Sequence, residues 1–282
     1  MNALEIKNLT KSYKDFTLDH VGFSLPSGCI MGLVGENGAG KSTIIKLIMG
    51  AIKRSEGEIF VLGKDNRQDF KVTKEEIGVV LDEPGFPECI TAKELNGVMK
   101  MLYKNWDEAV YFSYLKQLSI PADKEFKDFS RGMKMKLSIA AALSHHAKLL
   151  ILDEATSGLD PIVRDNVLDI LLDFTRDEDH SVLMSSHIVS DLEKICDYIA
   201  FLHEGKLIFC EEKDSLLEKY GMIRCTKDML SELDGDAVKG KRENKYGVEA
   251  LVDRERIPQG MKAERVTIED IVLFMVKGAA KG

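Results

Sequence analysis

Cysteine is sparse and unpaired in this chain: five residues in 282, at 29, 89, 196, 210 and 225, none in a CxxC spacing. An odd, scattered set excludes a disulfide framework. Without a His/Cys cluster beside it, neither a zinc site nor a redox motif is indicated. Long apolar runs are missing too. The longest, such as Ile271 to Val276, fall far below the ~20 residues that cross a bilayer, so the chain is not expected to form a transport pathway by itself. A basic excess is also absent, with 39 Lys+Arg against 47 Asp+Glu for a net charge of −8. A dedicated nucleic-acid binder would show a strong basic stripe. The chain opens directly into Leu4-Glu5-Ile6-Lys7-Asn8-Leu9, with no basic-then-apolar leader. Its length suits one large or two modest domains.

Against these absences stands LLILDEATSGLDP, from Leu149 to Pro161. A short apolar run ends in two adjacent carboxylates, Asp153 and Glu154, for which a buried strand has no structural need. In open α/β sheets, ligands sit just outside the carboxyl ends of the strands. A carboxylate there can hold Mg²⁺ through water, and its neighbour can orient an attacking water. Upstream, Gly35-Glu36-Asn37-Gly38-Ala39-Gly40-Lys41-Ser42-Thr43 satisfies G-x-x-x-x-G-K-[ST] in full. It follows the apolar run 29–34 and precedes a helical pattern through Met49, which is the context the motif requires. The glycines let backbone N–H groups turn inward around a phosphate, and the helix start adds partial positive charge. The loop reads as a nucleotide-binding bed, with Lys41 on β- and γ-phosphate oxygens and Ser42 on Mg²⁺.

A third element, Phe129-Ser130-Arg131-Gly132-Met133-Lys134, precedes the helix-forming stretch 135–143. Ser130 is a natural N-cap, and the first-turn N–H groups behind it can receive an anion. Alone, this is simply a capped, basic helix. Lying shortly before the carboxylate strand, it makes the chain resemble the ATP-binding subunits of ABC transporters over roughly residues 3 to 212. The single-domain ATPases of drug, peptide-antibiotic and lantibiotic export systems are the most similar. The resemblance implies an α/β fold, with a P-loop NTPase (RecA-like) core, an N-terminal antiparallel β subdomain and an inserted helical subdomain at about 86–145. An ATPase domain over 1–213 is then followed by a small C-terminal α+β extension over 214–282.

Further roles follow from the same resemblance. Tyr13 would stack on adenine, and the loop residues Gly35, Asn37, Gly38, Ala39, Gly40, Lys41, Ser42 and Thr43 would hold the phosphates. Glu154 would polarise the attacking water, His187 would contact the γ-phosphate, and Lys41 would complete the catalytic set. Ser42, Asp153 and Asp82 are the candidate metal ligands. Two copies would face head to tail as a homodimer or heterodimer. Each ATP would then lie between one P-loop and the other subunit's Ser130 and Gly132, with Ser157-Gly158-Leu159-Asp160 crossing the interface. Separately encoded integral-membrane transporter subunits are the implied partners, with the chain cytoplasmic and peripheral on the inner face of the cell membrane.

Three positions in two loops depart from the family pattern. Asp82 stands where a glutamine is usual, leaving metal contact direct, through water or absent, and adding negative charge beside the triphosphate. Arg131 replaces a usual glycine, with Met133 where glutamine is common. Arg131 is free to approach phosphate or to be solvated. Within 86–145, Met99, Leu102, Tyr103, Trp106, Val110, Phe112, Leu115 and Leu118 recur at spacings that suit helices packed on one side. In the tail, 221–226 and 246–252 read as short strands flanking a small helix, 239–244 as a solvated charged turn, and Thr267–Asp270 as a capping box. The extension is regulatory, a dimerisation aid or a passive addition. A non-transport ABC ATPase acting on ribosomes or DNA is the rival, disfavoured by a single P-loop and no sustained heptads. A binding module that has lost hydrolysis is disfavoured by Glu154 and His187.

Overall fold

The computed structural model describes residues 1–68, 74–245 and 247–279. Their centre is a six-stranded sheet in the order β10-β9-β3-β8-β7-β6. It is built from β3 (Ile30–Gly35), β6 (Ile77–Val80), β7 (Leu149–Asp153), β8 (Ser181–Ser185), β9 (Tyr198–His203) and β10 (Lys206–Glu212). All neighbours in it run parallel except β10, which pairs antiparallel with β9. A parallel sheet covered on both faces requires strands that are apolar throughout. β3, β7 and β8 are buried at every residue.

The two-residue period of a strand divides these side chains between two cores. Leu150 and Leu152 of β7 join one cluster with Val182 and Met184 of β8, while Leu149 and Ile151 join the other with Leu183. The second cluster lies under the antiparallel sheet β2-β1-β4-β5, formed by β1 (Asn2–Ser12), β2 (Thr17–Pro26), β4 (Glu56–Val61) and β5 (Lys64–Asp65). It also takes in Ile44, Ile45 and Ile48 of helix α1 (Lys41–Ile48). The first cluster gathers the remaining helices. Among these are α2 (Ala92–Leu102), α3 (Glu108–Gln117) and α4 (Arg131–Leu143), which make up the inserted helical region.

One expectation in that region needs correcting. Leu102 is 64 % exposed at the end of α2, because the helix turns that residue outward, next to the still more exposed Met101. The side chain that fills the helical core is Tyr111, fully buried, its hydroxyl donating to the Ala92 carbonyl at 2.8 Å. The bond satisfies the one polar atom that a buried tyrosine carries.

Beyond β10 the chain forms α7 (Lys213–Lys219), then a three-stranded antiparallel sheet of β11 (Tyr220–Cys225), β13 (Gly247–Asp253) and β12 (Val238–Asn244). A short helix, Lys227–Ser231, precedes β12. The charged run 239–244 is therefore strand, not a solvated turn. Its charges are balanced across the sheet, since Arg242 and Arg224 both bond to Glu249. Lys239 and Gly240 lie against the final helix Ile268–Ala279 so closely that a Cβ on Gly240 would fall 1.8 Å from the Phe274 carbonyl oxygen. The capping box forms, with Asp270 N–H donating to Thr267 Oγ1 at 3.1 Å and Thr267 N–H donating to the Asp270 carboxylate at 3.0 Å. Tyr246, expected at the start of a strand, lies outside the described residues.

This small sheet is tied to the main body. Tyr220, Met222 and Leu251 belong to the first core, together with Ile268, Ile271 and Phe274 of the final helix, while Ile223, Ala250 and Val252 form a separate cluster on the sheet's other face. No helix among the described residues is long and apolar enough to cross a membrane.

Candidate nucleotide site

The strand order places the sequence motifs side by side. The carboxyl ends of β3, β8, β7 and β6, adjacent in that order, lead into the glycine loop, His187, Glu154 and Asp82. Together these border a cavity of about 870 Å³, lined also by Tyr13, Phe16 and Arg131. That is the edge at which an open α/β sheet binds its ligand.

The glycine loop is shaped around an anion. Gly40, at φ 113°, caps α1, and a Cβ there would press within 3.0–3.1 Å of Leu18 and Phe16. Only glycine takes this conformation without strain. Asn37, Gly38, Gly40, Lys41, Ser42 and Thr43 line the cavity, whereas Gly35 and the buried Ala39 shape the loop from behind. The Lys41 ammonium is only 6 % exposed, and it donates to the Gly35 carbonyl at 2.7 Å and the Glu36 carbonyl at 3.2 Å. Burial pulls its pKa below the ordinary lysine value, against the opposing pull of Glu154 and Asp153. A buried ammonium held by carbonyls at the mouth of a helix N-terminus is suited to take up phosphate oxygens.

The two adjacent carboxylates are set apart by their surroundings. Asp153 is buried and accepts a hydrogen bond from Ser185 Oγ at 2.6 Å, which fixes one oxygen at the strand end. Glu154 has left the strand in a left-handed conformation, φ 53°, with its N–H donating to the Ser185 carbonyl at 3.2 Å. A non-glycine residue at positive φ is held there only when its surroundings over-determine it. Its carboxylate accepts from His187 at 2.6 Å (Nδ1) and 3.3 Å (backbone N–H). An ionised carboxylate only accepts, so the hydrogen of this bond sits on His187 Nδ1. Glu154 Oε1 lies 3.9 Å from the Lys41 ammonium. Glu154, His187 and Lys41 thus form one connected group.

Tyr13 is half exposed on the cavity rim, its ring centroid 6.5 Å from that of Phe16, with Lys11 above it at 5.3 Å. Sequence reasoning missed Phe16, Asp15 and Ser157 as lining residues. The aromatic spacing of Tyr13 and Phe16 in one tight turn, closed by Tyr13 N–H to the Phe16 carbonyl at 2.8 Å, was the available signal. It also missed Ser185, which holds both carboxylate positions from the neighbouring strand. Ser130 and Gly132 do not line this cavity. Ser130 caps α4, accepting from the Met133 N–H at 3.2 Å.

The fold and these motifs have clear relatives. Residues 18–157 match the family described as ABC transporter. The lantibiotic transport ATP-binding protein SrtF of Streptococcus pyogenes is 37 % identical over 215 residues, covering 75 % of this chain and 91 % of its own length. The bacitracin transport ATP-binding protein BcrA of Bacillus licheniformis is 35 % identical over 211 residues, 73 % of this chain and 68 % of its own. Among solved structures, cbiO1 from Clostridium perfringens, described as part of the ABC transporter complex cbiONQ, superposes with a TM-score of 0.66 at 25 % identity, over 77 % of this chain and 92 % of its own. The P-loop bed, the carboxylate pair and this kinship lead to one conclusion: the chain belongs to the ABC transporter family, as an ATP-binding subunit that hydrolyses ATP to drive transport.

Proposed function

We propose that this chain is the ATPase of an exporter for peptide antibiotics or related drugs, and that ATP is cleaved at a site shared by two subunits. The observation that carries the catalytic assignment is the Glu154–His187 pair facing Lys41 across the cavity. Glu154 takes the proton of the attacking water as general base, and His187 holds Glu154 in line through Nδ1–H, its Nε2 serving the γ-phosphate only as a donor, when it carries a proton. Lys41 and the loop N–H groups of residues 38–43 stabilise charge on the transferring phosphoryl group. Tyr13, with Phe16 behind it, offers an aromatic face for the adenine.

The donor set suits Mg²⁺. Ser42 stands open to the cavity and Asp153 keeps one oxygen unbonded by Ser185, an all-oxygen set of the kind a hard cation takes. When bound, the metal would neutralise charge on the β- and γ-phosphate oxygens. Ser130 and Gly132, standing outside their own chain's cavity, are free to close over the ATP of a second subunit, as a homodimer or heterodimer. The exposed Met101 and Leu102 at the end of α2 offer an apolar contact for a membrane subunit, which would hold the chain on the cytoplasmic face of the membrane. The names of SrtF and BcrA support the substrate class. We take residues 1–213 as the ATPase domain and 214–282 as the extension.

The reading is tested by replacing Glu154 with glutamine, which keeps shape but removes the charge that takes the proton. Turnover is expected to fall by at least about 10²-fold, the scale of general base catalysis, while ATP binding measured by equilibrium dialysis persists. A Glu154→Gln chain with wild-type turnover overturns the assignment.

A further inference from the structure

Asp82 and Arg131, which line the nucleotide cavity from different loops, touch each other. Arg131 Nη2 donates to Asp82 Oδ1 at 2.5 Å, joining residues 49 apart in sequence. Asp82 follows β6, and Arg131 is the first residue of α4, directly after its cap Ser130. The same guanidinium covers Gly158, where an added Cβ would meet Arg131 Cζ at 3.3 Å. Both partners line the nucleotide cavity with Lys41, Glu154 and His187. One side chain therefore spans three loops: the one after β6, the one opening α4 and the one after β7.

The charges follow the same logic. An aspartate beside a triphosphate adds repulsion, and a guanidinium on it offsets that in the absence of nucleotide. A carboxylate oxygen accepting from a guanidinium is a poorer ligand for a cation, so Arg131 and a metal compete for Asp82. The bond also ties the start of α4, next to Ser130, to the loop after β6 of the same chain, whereas the shared site requires Ser130 over a second chain's ATP.

We propose that the Asp82–Arg131 pair is a latch that keeps the Ser130 loop against its own subunit until ATP fills the cavity, so that nucleotide loading and presentation of Ser130 to the second subunit are a single event. This rests on the shared-site reading above. Both side chains are about half exposed, 53 % for Arg131 and 48 % for Asp82. The latch is therefore weak and reversible, with a coupling of about two- to five-fold.

Two measurements test it. The first is a double-mutant cycle in the nucleotide-free chain, with Asp82→Asn, Arg131→Gln and both together, read by urea unfolding. A contact gives a coupling of about two- to five-fold in the unfolding equilibrium, and strict additivity overturns it. The second adds each change to Glu154→Gln and follows pairing by light scattering with ATP in EDTA, where any role of Asp82 toward a metal is silent. Arg131→Gln and Asp82→Asn should each lower the protein concentration for half-maximal pairing by about two- to five-fold, and together no further. With Mg²⁺ restored the two should diverge, since only Asp82→Asn also removes a candidate ligand. Unchanged or weakened pairing in Arg131→Gln, or additive gains, overturns the latch. A Glu154→Gln parent that binds ATP and never pairs overturns a site shared between two copies of this chain and the release step with it, while the urea cycle still decides the contact.

Discussion

The carboxyl edge of the six-stranded sheet and the small C-terminal sheet both gather charged side chains, and they treat them in opposite ways. In the C-terminal sheet the arginines and Glu249 answer one another. Glu249 lies between Arg224 and Arg242, and Arg224 reaches on to Glu264 at 2.7–2.8 Å. At the parallel edge, Lys41 is buried with only carbonyls to donate to, Glu154 is held at positive φ, and the carboxylate pair crowds one strand end. Charges that neutralise one another stabilise a surface. Charges held apart in a cavity, with backbone strain retained, are arranged for a ligand that arrives later.

That contrast breaks most visibly at Lys41. Removing its ammonium takes away the charge facing the phosphates and leaves the loop N–H groups, so Lys41→Ala should lose about 10²- to 10³-fold in kcat with an unchanged circular dichroism spectrum. Near wild-type hydrolysis by the folded variant would show that this loop is not the catalytic one. On the other side of the comparison, Gly240→Val forces a side chain against the Phe274 carbonyl. It should cost about 1–3 kcal/mol of stability by urea titration and leave turnover per folded molecule within about two-fold. A variant as stable as the parent would mean that the final helix is not seated on β12 as described.

Asp82 sharpens the contrast, since it belongs to the functional edge yet carries an ion pair of the surface kind. If its carboxylate serves the metal, Asp82→Ala should raise the Mg²⁺ concentration for half-maximal activity by about tenfold, with ATP binding in EDTA altered far less. An unmoved Mg²⁺ titration would leave Asp82 with the latch alone. The smallest effect belongs to Glu249. Hydrogen bonds from Arg242, then Arg224, hold its carboxyl below the ordinary value, against a small opposing effect of burial. A depressed folded value contributes stability above the unfolded carboxylate range, near 4.3, and that contribution fades as pH falls through the folded value. Glu249→Gln should therefore lower the urea midpoint slightly at pH 7 and by less near pH 3, with ATP turnover unaffected. Equal shifts at both pH values would show that the ladder acts through packing rather than charge.

The parallel core was legible because its local signals agree. Apolar runs as short as Leu149–Leu152 end in motif residues, and each motif sits where strand gives way to loop. The fold as a whole, with its antiparallel sheet and helical insertion, agreed with the family resemblance. The tail was less legible. Residues 239–244 read as a charged turn because strand character there comes from partners on β13 and from Gly240 under the final helix, neither of which is local. Leu102 misled for the same reason, since helical spacing alone does not say which face meets the core. The Asp82–Arg131 contact was beyond sequence altogether, because it joins two loops that meet only once β6 and α4 are packed together.

The central claim is that one ATP is held by two chains, and it is tested most directly by light scattering on Glu154→Gln. Hydrolysis is blocked in this variant, so closed pairs should accumulate. The account predicts a monomer without nucleotide and a dimer with ATP, abolished by adding Ser130→Arg, which places a bulky cation at the start of α4 where phosphate would meet the helix. A Glu154→Gln chain that binds ATP at high protein concentration and remains monomeric would contradict a site shared between two copies of this chain.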